Sequence, residues 1–115
     1  MDARDIDREQ LFGTIPTEIG LLTELTELHL YRNFLTGTIP TELGKCSKLL
    51  EADFYNSFFT GSIPTEIGSL TDMTYFDGAE NYLTGPIPTE FGLLRSLTGM
   101  RAPALNNDNP PLGVL

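Results

Sequence analysis

The chain has 115 residues, a length that allows one small domain, and 40% of them are hydrophobic, which is enough for a core. A formal net charge of −9 with seven scattered Lys and Arg residues argues against nucleic acid as a partner, because phosphate binding needs clustered basic side chains. One cysteine and one histidine exclude an internal disulfide and a multi-His metal site. No apolar run approaches the roughly 20 residues of a membrane-spanning helix, so we expect no membrane contact within the chain.

An internal repeat organises the sequence. Ile-Pro occurs at 15–16, 39–40, 63–64 and 87–88, a constant spacing of 24 residues, and Pro-Thr-Glu recurs with it. In the first full unit, a second pattern combines the apolar residues Leu28, Leu30 and Leu35 with the polar Asn33. In chain order, we predict a degenerate or partial repeat over residues 1–10, repeats of period 24 over residues 11–102, and a degenerate cap or frayed tail over residues 103–115.

Each repeat is predicted to begin with a short strand. Leu28 and Leu30 are two residues apart, so their side chains lie on the same face and point into the stack. Successive repeats then lay their strands side by side as a parallel sheet. Asn33 and Asn81 are expected to turn inward and bond the backbone of adjacent repeats. Ser57 occupies the same position and is expected to interrupt this ladder, because a hydroxyl lacks the paired groups of an amide.

The Gly-x-Ile-Pro block is predicted to begin the opposite, convex side of each repeat. Pro40 suits the first position of a helix, and Glu42 then meets the positive end of the helix dipole. Gly44 is expected to allow a turn that a Cβ atom would obstruct. We interpret the equivalent helix-start glutamates as structural rather than as catalytic or calcium-binding groups. They are Glu18, Glu42, Glu66 and Glu90.

The complete unit resembles the plant-type leucine-rich repeat, a family that includes receptor-like kinase ectodomains and polygalacturonase-inhibiting proteins. The resemblance covers residues 11–102 and is carried by Leu28, Leu30, Asn33, Leu35 and the Gly-x-Ile-Pro block. It implies an α/β solenoid: a right-handed stack with a short parallel β-sheet on the concave face and 3₁₀ or short helical turns on the convex face. It further implies a fragment of a larger receptor-like or signalling protein, on the extracellular face of a membrane receptor. The sequence alone leaves the compartment open.

A binding site is expected on the concave sheet face, at the positions between the buried strand residues. There the repeats stack acids with tyrosines, which suits a protein or peptide partner of basic character. No cofactor and no metal site are expected. The predicted partner-binding residues are Glu27, His29, Tyr31, Arg32, Glu51, Asp53, Tyr55, Asn56, Tyr75, Asp77 and Glu80.

Other readings of the sequence are weaker. His29 falls in the same column as Asp53, but no Ser or Cys is placed as a nucleophile and a flat open face cannot exclude water, so we predict no catalytic site. Cys46 occupies a buried leucine position and is interpreted as a core residue. The family resemblance also leaves open an inhibitor of a secreted glycosidase. Ice binding through aligned threonines is a further alternative, and the unbroken series is Thr17, Thr41, Thr65 and Thr89.

Overall fold

The computed structural model describes residues 10–102, and each repeat within them contributes a short strand, a loop and a 3₁₀ helix. The predictions for the terminal segments 1–9 and 103–115 lie outside the described residues. The strands are β1 (Phe12–Gly13), β2 (Glu27–His29), β3 (Phe34–Leu35), β4 (Glu51–Asp53), β5 (Tyr75–Asp77) and β6 (Gly99–Arg101). The 3₁₀ helices are η1 (Thr17–Leu21), η2 (Thr41–Lys45), η3 (Thr65–Ser69) and η4 (Thr89–Leu93).

The main sheet is parallel, with the strand order β2-β4-β5-β6. Leu28 pairs with Ala52, Ala52 with Phe76, and Phe76 with Met100, so the central residue of every strand points inward. These pairings confirm the columns predicted from the 24-residue period. The register follows directly from the repeat because strands of equal spacing align without an offset.

The core lies between this sheet and the row of 3₁₀ helices. Four phenylalanines form a continuous series through it, with ring centroids 5.5 Å apart for Phe54–Phe59, 5.9 Å for Phe54–Phe76 and 5.5 Å for Phe76–Phe91. Cys46 is fully buried in the same core, which confirms its prediction as a core residue. Its thiol lies 3.3 Å from the carbonyl oxygen of Ile19, and burial raises its pKa.

An inward-facing polar side chain links each repeat to its neighbour. The Asn81 carboxamide oxygen accepts the backbone N–H groups of Ser57 and Phe59 at 3.1 and 3.0 Å. The Asn33 carboxamide oxygen accepts the N–H of Leu11 at 3.0 Å. The prediction that Ser57 interrupts this ladder is wrong, since its buried hydroxyl accepts the N–H of Leu35 at 2.6 Å and donates to the Leu35 carbonyl at 3.1 Å. The strands run so close together that the shorter hydroxyl reaches the preceding repeat.

The convex 3₁₀ helices correct two details of the sequence prediction. Pro40 precedes η2 in an extended conformation, with φ −70° and ψ 142°, so the helix begins at Thr41 rather than at the proline. Gly44 does not serve a special turn conformation. Instead, a Cβ atom there would lie 2.7 Å from the carbonyl oxygen of Glu66 in the next repeat. The equivalent glycines Gly20 and Gly68 lie equally close to Glu42 and Glu90 of the next repeat. This glycine column therefore exists because neighbouring helices approach one another closely.

A second, two-stranded parallel sheet, β1–β3, is formed by the segments that precede the helices η1 and η2 in the chain, and it was not predicted. Its backbone pairing continues through later repeats, as the N–H of Phe58 donates to Leu35 and the N–H of Tyr82 to Phe59. Exposed aromatic rings line this flank, with centroids 6.2 Å apart for Phe34–Phe58 and 6.0 Å for Phe58–Tyr82. The 24-residue spacing of these three residues was a visible signal of this row.

Candidate binding surface

The concave face consists of the residues on either side of each inward-pointing strand residue. Because side chains alternate along a strand, those flanking positions face away from the core. Glu27 pairs with Glu51 and Glu51 with Tyr75 in one column. In the other column, which begins at His29, Asp53 pairs with Asp77 and Asp77 with Arg101. The strands therefore bring the predicted strand residues together on one surface.

At one end of this surface, His29 on β2 contacts Glu51 on β4. The Nε2 atom of His29 lies 3.0 Å from a carboxylate oxygen of Glu51 and 3.9 Å from one of Glu27. His29 and Asp53 are strand partners, as expected, but the hydrogen bond runs diagonally to Glu51. The ring of Tyr31 lies beside His29, with centroids 6.3 Å apart.

The other end is built around a buried carboxylate. Asp77 is 2% exposed and accepts hydrogen bonds from the Tyr75 hydroxyl at 2.8 Å and from the backbone N–H of Ala79 at 3.0 Å. It also accepts one from Nε of Arg101 at 3.1 Å, while the same guanidinium lies 4.7 Å from the centre of the Tyr55 ring. Asp77 is one of the predicted partner-binding residues, but neighbouring side chains cover it and the Arg101 guanidinium balances its charge.

Arg101 was missing from the predicted site residues, although its column was recognised. The signal that could have found it is a basic residue following two acids, Asp53 and Asp77, at the same repeat position. Opposite charges on neighbouring parallel strands attract across the strand pair. The guanidinium therefore belongs to the surface as a structural cation.

Asp53 has a different environment from Asp77, although both accept the N–H of the residue two positions later. Asp53 receives that bond from Tyr55 at 3.0 Å. Its partial burial raises its pKa, the bond from Tyr55 acts in the opposite direction, and the charge of Asp77 adds to the increase. Tyr75 also has a raised pKa, because its hydroxyl is shielded from solvent and donates to Asp77. The face thus combines a neutral phenol with partly shielded carboxylates.

Asp77→Asn is expected to lower the free energy of unfolding by about 1–2 kcal/mol, because the charge-assisted bond to Arg101 is lost while the side-chain volume is kept. Urea denaturation monitored by circular dichroism measures the change. Asp72→Asn removes an exposed carboxylate in the turn between η3 and β5 and serves as the matched control. Equal losses for the two variants would contradict the structural role of Asp77.

Three predicted site residues, each lying three positions after the end of a strand, share an unusual backbone conformation. Arg32, Asn56 and Glu80 have φ values of 60°, 60° and 57°, in the left-handed region that disfavours most side chains. The conformation lets the N–H groups of Arg32 and Asn56 donate to Tyr55 and Ala79 in the next repeat, at 2.8 and 3.0 Å. All three side chains are exposed, so they remain available to a partner.

Glu80→Asn is expected to raise the free energy of unfolding by about 0.5–1 kcal/mol, since asparagine tolerates the left-handed conformation better than glutamate. Thermal and urea unfolding measure the gain. Glu66→Asn replaces an exposed glutamate that has an ordinary φ, and it should give no increase. A Glu80 variant that is no more stable than the original chain would refute backbone strain at this position.

The threonine series that suggested ice binding make hydrogen bonds within the chain. In each 3₁₀ helix the first threonine lies within hydrogen-bond distance of the next glutamate, at 3.3 to 3.5 Å. On the flank, threonine hydroxyls donate to glycine carbonyls of the preceding repeat at 3.3 to 3.4 Å. The flank threonines therefore join neighbouring repeats, whereas the helix threonines bond within their own repeat.

Strand, loop and 3₁₀ helix recurring every 24 residues define a leucine-rich repeat solenoid. In agreement, the sequence model of the Leucine Rich Repeat family matches residues 24–46. No curated protein sequence matches this chain. In residues 10–102, no helix has the length and apolar character needed to cross a bilayer.

Solved structures specify the type of repeat. The plant peptide hormone receptor RGFR1 in complex with RGF2 matches with a TM-score of 0.80 and 40% identity, over 81% of this chain and 15% of that chain. The BIR2 ectodomain from Arabidopsis thaliana matches with a TM-score of 0.79 and 30% identity, over 88% of this chain and 52% of that chain. A leucine-rich repeat protein from Leptospira interrogans matches with a TM-score of 0.69 and 31% identity, over 76% of this chain and 22% of that chain.

The chain is a leucine-rich repeat protein of the plant type. It spans 15%, 52% and 22% of the length of these three solved chains.

Proposed function

We propose that this chain is a non-catalytic module that binds a protein or peptide of basic character on its concave face. The observation that carries the proposal is the pair of contacts that the concave face makes with a guanidinium group. Arg101 lies over the Tyr55 ring and donates to the Asp77 carboxylate. Aromatic faces and carboxylates are the groups that recognise arginine in protein interfaces.

The charge distribution supports a basic partner. Glu27, Glu51 and Asp53 lie on the face and are partly exposed, and the Arg101 charge is already balanced by Asp77. Tyr55 and Tyr75 add broad, rigid side chains with polar ends, a combination that is favoured at interfaces. Such a surface attracts a cationic partner at long range and offers it aromatic contacts on arrival.

The structural matches support a peptide-binding context. Among them are the peptide hormone receptor RGFR1 in complex with RGF2 and the complex of PEPR1 with AtPEP1, at 40% and 39% identity. By analogy with these receptors, we place the chain in a larger receptor-like protein, with this face outside the cell. The alternative of a glycosidase inhibitor stays a prediction of the family resemblance.

A peptide selection tests the proposal. Peptides selected from a random library on the full chain, in the presence of EDTA, should be enriched in arginine and lysine. Their binding is then measured for the Glu27→Lys/Glu51→Lys double variant, which reverses two charges on the concave face. We expect a loss of affinity of about tenfold or more.

The matched control reverses two exposed charges on the convex side, Glu18→Lys/Glu66→Lys, and changes the net charge by the same amount. It should bind the peptides within about twofold of the original chain. Asp77 is left unchanged, because substitution of this buried carboxylate would alter stability. Selected peptides without basic enrichment, or equal losses for both double variants, would overturn the proposal.

A further inference from the structure

We propose that Glu27, His29 and Glu51 form a zinc-binding site on strands β2 and β4. The site goes beyond peptide binding, because it assigns to these three residues a ligand that does not depend on any partner protein. The sequence prediction of no metal site considered clusters of several histidines and did not consider this mixed set. The sequence feature that could have indicated this site is a pair of glutamates at equivalent positions of adjacent repeats, with a histidine two residues after the first of them.

The geometry brings one ligand atom from each residue into a small volume. The Nε2 atom of His29 and one carboxylate oxygen each from Glu27 and Glu51 all lie within 4.8 Å of one another. Strand pairing sets Glu27 directly opposite Glu51, and His29 follows Glu27 by two residues on the same face of the sheet. Residues held by a paired sheet keep their relative positions better than residues on a loop.

The electrostatics favour a cation between the two carboxylates. Like charges directly opposite each other on neighbouring strands destabilise the pair. In the described part of the chain, the side chains of Lys48 and Arg101 form ion pairs elsewhere, with Glu24 and Asp77. His29 is the basic group that contacts both Glu27 and Glu51 there. A divalent ion placed among the three side chains would neutralise both carboxylates.

The donor set selects the metal. Calcium and magnesium prefer oxygen ligands alone, whereas zinc accepts imidazole nitrogen together with carboxylate oxygen, at about 2 Å from each. The side chains of His29, Glu27 and Glu51 are 20%, 31% and 41% exposed, so an ion can reach them from solvent. Three protein ligands leave a further position for water, as in open zinc sites.

Titration of the full chain with zinc chloride, without any affinity tag, tests the inference. Isothermal titration calorimetry should show saturable binding of one zinc ion per chain. His29 is the single histidine of the sequence, so the NMR signals of its ring protons report ligation without overlap. These signals should shift in step with the calorimetric saturation.

Three single variants and one control complete the test. His29→Asn, Glu27→Gln and Glu51→Gln should each weaken zinc binding by about tenfold or more. Glu24→Gln, at an exposed acid outside the cluster, should leave it unchanged within about twofold. A titration without saturation, or a His29→Asn variant that binds zinc as well as the original chain, would overturn the site. Since peptides are selected in EDTA, failure of the zinc site leaves the peptide result intact, and the reverse also holds.

Discussion

Phe59→Ala is expected to lower the free energy of unfolding by about 3–5 kcal/mol, a large share of the stability of a small domain. Phe59 is fully buried, and its ring meets Phe54 edge to face at a centroid distance of 5.5 Å. Removal of the ring leaves a cavity in the series that continues to Phe76 and Phe91. Because repeats are stabilised by their neighbours, the cavity weakens the contacts on both sides of the second repeat. Urea denaturation followed by circular dichroism measures the loss.

Phe58→Ala is the matched control, since it removes the same side chain from the adjacent position. The Phe58 ring is 39% exposed on the flank, where it stacks between Phe34 and Tyr82. We expect a loss of only about 1 kcal/mol, from the aromatic contacts. If both variants lost the same stability, the assignment of Phe59 to the core and of Phe58 to the surface would be wrong.

Gly44→Ala should have the second largest effect, a loss of about 2–3 kcal/mol. The added Cβ atom would lie 2.7 Å from the carbonyl oxygen and 2.9 Å from the Cβ atom of Glu66. Both of these atoms are close to or part of the backbone, so a rotamer change cannot relieve the overlap. The helices η2 and η3 would have to separate, which weakens the stack at its centre. Thermal unfolding and urea denaturation both report the change.

Gly92→Ala provides the comparison, because Gly92 occupies the equivalent position in η4, the final 3₁₀ helix within residues 10–102, and is exposed. We expect a change within about 0.5 kcal/mol. A large loss at Gly92, or none at Gly44, would show that the glycine column does not serve close approach between helices.

Much of the fold could be predicted because one number, the period of 24 residues, sets the register of every repeat. In a parallel stack, equivalent residues become neighbours, so the pairs Leu28–Ala52 and Glu27–Glu51 follow from the sequence alone. The inward positions were also predictable, since Leu28 and Leu30 share one face of a strand. The structure confirms all of these assignments.

The details that differ from the sequence predictions, or that no sequence prediction covered, depend on distances between repeats, which a sequence pattern does not contain. Ser57 joins the ladder because the strands lie close enough for a hydroxyl to reach Leu35. Gly44 is required by the approach of the next helix and not by its own turn. Asp77 is buried because Tyr75 and Arg101, from its own and the next strand, close over it. Each outcome needs side-chain positions from more than one residue of the stack.

The central claim is that the concave face of this leucine-rich repeat binds the partner, and NMR mapping of a selected basic peptide tests it most directly. Addition of the peptide is expected to shift the backbone amide signals of β2, β4 and β5, together with those of Tyr31 and Tyr55, and to leave those of η1 to η4 unchanged. Shifts concentrated on the 3₁₀ helices, with the strand signals unmoved, would contradict it.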